Sequence, residues 1–350
     1  MRLRALDSIR GLLLLQMTLD HFGKPISSFL YQCFGFFSAA EGFFFLSGFV
    51  GIFAAISKAK KDPNASWMRL RALRIWKYHI LSLMSLICMG IFLFPGLTTF
   101  FKSIISHPFL GSFLSLALIH TPAWLDVLPL YVFLMLIGSY FFPLMARGRI
   151  FPVWFLSFSL WLIAQLGLRQ SVHDLFPNWV YHGFFDLAAW QFIYFSGAAI
   201  GAWWKKHKLA ETVPHNSVRL ISIVAIAITL FLFLWSREWI PLPPPSAFWI
   251  DREHLGPLRY LNFIVFALSI CFIVRTRPGL LDFQLTATLG KRSLEVYTAH
   301  TMLIYLWFIT PASIQFQTPW NVALPLFACV LLWLLATVLE KRFSRRHARL

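Results

Sequence analysis

The sequence predicts an all-α polytopic membrane protein with about ten transmembrane helices, one short re-entrant or interfacial helix, and both termini in the cytoplasm. Three observations predict it. Of the 350 residues, 58% are hydrophobic and only 13% are charged, about half the roughly 25% charge of an average soluble chain. Apolar stretches of about 20 residues, the length that crosses a hydrocarbon core, recur along the chain. Lysine and arginine are unevenly shared between alternate connecting segments. No polar stretch is long enough to fold by itself, so residues 1–350 read as a single integral-membrane domain with no separate soluble domain.

The expected spans lie near residues 7–23, 36–57, 75–95, 127–145, 150–168, 186–204, 218–236, 257–274, 293–311 and 319–340. The opening Met-Arg-Leu-Arg has no small-residue cleavage site, so the first span is expected to remain as an anchor. Pro108 to Thr121 is apolar but only 14 residues long, which suits a re-entrant or surface-lying helix better than a span. Ser47-Gly48 in span 2 and Gly197-Ala-Ala-Ile-Gly201 in span 6 supply the small residues that let helices approach closely.

With the N-terminus inside, 25 of the 31 lysines and arginines fall on cytoplasmic segments, the positive-inside pattern. An eleventh span at Pro108–Thr121 would invert every later loop and spoil that bias. The formal charge of +17 is therefore a topology signal rather than a nucleic-acid footprint. The densest inside segment is Lys58–Lys77, where Arg69, Arg71, Arg74 and Lys77 gather at the mouth of span 3. Orientation and attraction to anionic lipid account for such a cluster. A polyanionic cytosolic ligand accounts for it as well, because arginine grips phosphate by bidentate hydrogen bonds. The four cysteines are scattered, without metal-ligand or disulfide spacing, and no metal is expected.

Span 1 carries the chemistry. Ionisable groups inside a bilayer cost several kcal/mol by most estimates and mark working sites, yet this helix holds Arg10, Asp20 and His21. At 100° and 1.5 Å per residue, Arg10 and His21 fall within about 20° of one face and about 16 Å apart along the axis. Asp7 and Arg10, three apart, face each other as an internal ion pair. Glu41 should lie at a depth comparable to His21, where a carboxylate can orient the ring and raise its basicity for general-base work. Asp20 points about 100° away and is the less direct partner. His300 lies about 10 Å into span 9 counted from Ser293, as the wall of a polar cavity.

The outside loops are short and rich in aromatic and ionisable residues. Leu168–Asp186 carries His173, Asp174, Trp179, Tyr181 and His182; Arg237–Leu255 carries Trp239, Trp249, Asp251, Arg252, Glu253 and His254. Interfacial tryptophan and tyrosine suit any membrane protein. Tryptophan with carboxylates and histidine is also how a protein holds a carbohydrate, and the sequence supports both readings equally.

Asp7-x-x-Arg10-Gly, Asp20-His21 and Glu41-Gly-Phe-Phe-Phe-Leu-Ser-Gly-Phe49 together resemble the start of the OpgC-type branch of the membrane acyltransferase-3 superfamily. The resemblance continues through Leu128-Pro-Leu-Tyr131, Trp190-Gln191, Asp251-Arg-Glu-His-Leu-Gly-Pro-Leu-Arg259 and Leu289-Gly-Lys-Arg-Ser-Leu-Glu-Val-Tyr-Thr-Ala-His300. It implies an inner-membrane, multi-pass O-acyltransferase with a cytosolic acyl-CoA donor, succinyl-CoA in this branch, and a periplasmic glucan acceptor. It further implies that His21 is the catalytic base and that Arg10, Arg69, Arg71 and Arg74 serve catalysis or donor binding. The expected catalytic set is His21, Glu41, Asp20 and Arg10. The donor set is Arg69, Arg71, Arg74, Lys77 and His300, and the acceptor set is Trp190, Gln191, Asp251, Glu253 and His254. The competing readings are an O-acetyltransferase of another surface glycan and a non-enzymatic transporter, whose internal repeat the sequence does not display.

Overall fold

A computed structural model describes residues 4–207 and 215–347. Among the described residues the chain is helical, with no strand and one isolated parallel bridge joining Thr121 to His182. The longer helices are α1 (Arg4–His21), α2 (Ala39–Lys58), α3 (Ser66–Phe92), α4 (Val127–Ala146), α5 (Ile150–Gln165), α6 (Leu187–Lys206), α7 (His215–Ser236), α8 (Pro257–Thr276), α9 (Ser293–Phe308) and α10 (Trp320–His347). Each coincides with one of the expected apolar segments. Five are long and apolar enough to cross a membrane: α2, α3, α4, α7 over Arg219–Ser236, and α10 over Trp320–Arg345. α5 and α8 contribute shorter apolar stretches, while α1 carries Arg4, Asp7, Arg10 and Asp20 within its 18 residues.

Contacts divide the chain into two compact units. The first comprises Met1–Phe43, Ala210–Ile250 and Pro257–Leu350. At its centre α1 lies against the helix Gln284–Lys291, an eight-residue element that hydropathy does not reveal. The approach depends on glycine from both sides: a side chain at Gly11 would collide with the Thr286 carbonyl, and one at Gly290 with the Asp7 carbonyl. The Ser8 and Thr286 hydroxyls pair across this seam at 2.7 Å. Arg4 Nε reaches Asp282 Oδ1 at 2.5 Å near its end. Phe22, Ile304, Trp307 and Ala328 close an apolar cluster joining the residue after α1 to α9 and α10. α7 packs along α8, but only 17% of its apolar window is buried. A helix apolar on every side and mostly uncovered is suited to lipid.

The seam predicts a stability result. Gly11→Ala forces a methyl against backbone that has no flexible end to move. It is expected to cost about 1–3 kcal/mol, the usual range for overpacking. A lowered melting temperature of the purified protein would register it.

The second unit comprises Phe44–Leu209 and Asp251–Gly256. Here α2 and α6 meet through the small residues anticipated from sequence: Gly48 against the Tyr194 carbonyl, Gly197 against the Phe45 carbonyl, and Gly201 against Ile52 and Phe49. α3 packs on α4 and α5 on α6. The Trp154, Phe158 and Trp161 rings of α5 line up along Phe192 of α6. The Pro108–Leu116 helix has nine residues, about 13.5 Å of rise, too short to cross a bilayer. Phe109 and Phe113 on it are exposed while Leu114 is buried.

Candidate functional site

His21 ends α1, and α9 brings His300 to it. The His21 Nδ1 to His300 Nε2 distance is 3.2 Å, with the rings roughly parallel at 28° and their centroids 5.3 Å apart. His21 is half-buried; His300 is buried, flanked by Tyr297, and its Nδ1 has no hydrogen-bond partner among the described residues. The pairing constrains tautomers, since one ring must donate and the other accept. When His21 donates Nδ1–H to His300, its lone pair sits on Nε2 and can take a proton. His300, expected among the donor-binding residues, is therefore a neighbour of the candidate base.

Glu41 has a different role from the one expected of it. It begins α2 in a pocket with no solvent exposure, and its Oε2 accepts from both the backbone N–H and the hydroxyl of Ser38, each at 2.9 Å. Its Oε1 accepts from Nε of Arg259, which is equally buried and also donates from Nη2 to Ser38 Oγ at 3.1 Å. The expected Glu41–His21 pairing is thus replaced by a Glu41–Arg259 ion pair. The physical reason is charge: a buried guanidinium needs a carboxylate far more than an imidazole does. Arg259 Nη1 remains unpartnered. One turn along α8, Asn262 Oδ1 accepts from the Phe36 N–H at 2.7 Å, at the loop where Gly35 passes against the Asn262 amide. The Arg259 and Asn262 side chains together fix the backbone leading into α2.

Arg10 and Asp7 form the anticipated pair, Nη1 to Oδ1 at 3.8 Å, both buried in the first unit. Asp20 is half-buried beside His21 in sequence. In the second unit, Arg69, Arg71, Arg74 and Lys77 on α3 are all exposed. Arg69 donates to the Asn64 carbonyl at 3.1 Å. Among the described residues Arg74 and Lys77 make no hydrogen bond or ion pair, so their charges are available to an anion.

The proposed acceptor residues fall into two groups. Trp190 is fully buried, and its Nε1 donates to the carbonyls of Arg252 and Glu253 at 3.0 Å each. Its ring therefore cannot stack on an external sugar, and its effect is to anchor the Asp251–Gly256 segment. Gln191 is also buried, bridging α6 to α5 through Ser157 at 2.6 and 2.8 Å. Asp251, Glu253 and His254 stay partly exposed and close together. His254 Nδ1 lies 2.5 Å from Asp251 Oδ2, and Arg169 Nε lies 3.0 Å from Glu253 Oε1. Among the described residues no group of three or more His, Cys, Asp or Glu side chains is arranged to hold a metal.

A family model described as OpgC protein matches residues 2–344, nearly the whole chain. The chain belongs to the OpgC protein family. No curated protein and no solved structure matches it. The match encompasses every residue of the histidine pair and the Glu41–Arg259 pair, so both lie inside the OpgC region rather than in an appended segment. Arg259 and Ser38 are the members that sequence reading passed over as site residues. The visible signal was Arg259 at the end of Asp251-Arg-Glu-His-Leu-Gly-Pro-Leu-Arg259, an arginine opening an apolar helix whose charge requires a buried partner.

Proposed function

We propose that this OpgC-family protein is a membrane-embedded O-acyltransferase that moves an acyl group, succinyl in this reading, from cytosolic acyl-CoA to hydroxyls of a periplasmic glucan. The observation that carries the reading is the His21–His300 pair, an imidazole with one nitrogen held by a second imidazole, in a chain of this family. His21 Nε2 takes the proton of a glucan hydroxyl as its oxygen attacks the thioester carbonyl. The C–S bond breaks, and the proton passes to the departing CoA thiolate, so that ester and free CoA are the products. His300 holds the base in its proton-accepting tautomer. Being an imidazole, it orients His21 without supplying the full counter-charge of a carboxylate.

Arg69, Arg71, Arg74 and Lys77 are assigned to the donor's phosphates, a role supported by their exposure and by Arg74 and Lys77, which make no hydrogen bond or ion pair among the described residues. Arg10, neutralised in part by Asp7, is assigned to the donor side of the reaction, and Asp20 to the surroundings of the base. Asp251, Glu253 and His254 are assigned to the acceptor. The same reading places ten spans in the cytoplasmic membrane with both termini inside, in keeping with the distribution of lysine and arginine.

The direct test is mass spectrometry of periplasmic glucans from cells with and without the protein. Loss of a succinyl-sized ester modification on deletion, restored by the intact gene, is expected. An unchanged glucan profile would refute the proposal, and an acetyl-sized difference would replace succinyl with acetyl.

A further inference from the structure

The second unit contains a cavity of about 400 Å³ that the acyl-transfer reading does not use. Its volume falls in the range of about 300–1,000 Å³ typical of ligand sites. The cavity is polarised along α4. At the N-terminal end of that helix it is bordered by Thr121, His182 and Asp186, and farther along by Leu130, Phe133, Ile137 and Leu160 of α5. The apolar part spans the seven steps from Leu130 to Ile137, about 10 Å of helix.

The polar end is unsatisfied. Thr121 Oγ1, His182 Nε2 and Asp186 Oδ2 are all buried and without a hydrogen-bond partner among the described residues. Thr121 and Asp186 are 2% and 5% exposed, so bulk water does not serve them. Several other polar atoms here are occupied. Asp186 Oδ1 caps α6 by accepting from the Ala188 N–H at 2.8 Å, and His182 Nδ1 pairs with His173 Nδ1 at 2.7 Å. Asp126 Oδ2 accepts from the Phe184 N–H at 2.7 Å. Arg169 is spent on the carbonyls of Gly183 and Phe184 and on the Glu253 carboxylate. Burial raises the carboxyl pKa of Asp126 and lowers that of the His182 imidazole, so each is held toward its neutral form.

Three unmet polar atoms beside an apolar channel define an occupant. Buried polar atoms left unpaired are costly, and a native structure normally satisfies them. Water can satisfy the polar end, but an apolar cavity stays dry. The two carboxyl groups at this end, Asp126 and Asp186, disfavour a phosphate head. A hydroxyl, which both donates and accepts, can pair with a threonine hydroxyl, an imidazole nitrogen or a carboxyl oxygen.

We propose that this cavity binds an uncharged, hydroxyl-bearing amphiphile, its head at Thr121, His182 and Asp186 and its single alkyl chain along Leu130, Phe133 and Ile137.

The test is native mass spectrometry of the full-length protein released from an amine-oxide detergent. The added probe is 1-monooctanoylglycerol, octyl phosphate, glycerol or glucose. One equivalent of 1-monooctanoylglycerol should bind, with octyl phosphate, glycerol and glucose binding far more weakly. Thr121→Val, which removes one hydroxyl partner, and Ile137→Trp, which fills the channel, should each weaken binding about tenfold, the effect of one lost hydrogen bond or a blocked site. Should Ile137→Trp fail to fold, Thr121→Val carries the comparison alone. Equal binding of octyl phosphate, preference for glucose, indifference to Thr121→Val, or no bound 1-monooctanoylglycerol at all would each overturn the proposal, the last leaving a hydrated cavity only.

Discussion

His21→Ala is expected to reduce glucan acylation about 10²–10⁴-fold, the contribution of a positioned general base, with protein level and melting temperature unchanged. His21 is half-buried at the end of α1, so truncating it removes little packing. Normal acyl content on the glucan with normal protein levels would refute the assignment. The His300 variants sharpen the test. His300→Leu preserves much of the buried volume but leaves His21 Nδ1 without the partner it has at 3.2 Å. The loss should appear in kcat more than in KM, because orientation of the base matters only once the acceptor is bound. His300→Gln, whose carbonyl can accept from Nδ1–H, should restore part of the rate. Because the two histidines act as a unit, the double variant should be little worse than His21→Ala alone. A multiplicative loss would show that His300 works apart from His21, for instance on the donor, as the sequence first suggested.

The helices were legible because their signal is repeated many times over: each long helix coincides with an apolar segment, and Ser47-Gly48 and Gly197…Gly201 marked points of close helix approach, though not that they face each other. The Gln284–Lys291 helix was not, because eight residues are too few to produce a hydropathy signal. Its presence depends on a tertiary fit between Gly11, Gly290 and the backbone of the facing helix. The same distinction runs through the site. Asp7–Arg10 could be read from spacing, since both residues sit on one helix and a three-residue step fixes their relation. Glu41 could not be partnered, because depth along two different helices says nothing about azimuth. Its true partner, Arg259, is 218 residues away. Trp190 and Gln191 were expected in the acceptor set through the family resemblance, yet burial turns Trp190 into the anchor of the Asp251–Gly256 segment. Residue type suggested chemistry; exposure decided whether that chemistry is available.

Glu41→Ala tests the corrected role. It strands the Arg259 guanidinium, fully buried, with the Ser38 hydroxyl as its one remaining side-chain hydrogen bond among the described residues. Removing one member of a buried ion pair costs about 3–5 kcal/mol, most of it from the uncompensated charge. A sharp fall in folded yield and melting temperature is expected. Replacing both members with uncharged side chains, Glu41→Gln with Arg259→Met, should recover most of that stability, since a buried pair is worth little against well-packed neutral groups of similar volume. The decisive measurement is the rate per folded molecule in this rescued double variant. If Glu41 served His21 as its orienting carboxylate, the rate would collapse while stability returned. With Glu41 committed to Arg259 and Ser38, and His21 held by His300, the folded molecules should retain a substantial share of the wild-type rate. The Glu41 defect then belongs to the packing of α2 against α8, whereas the His21 defect belongs to chemistry.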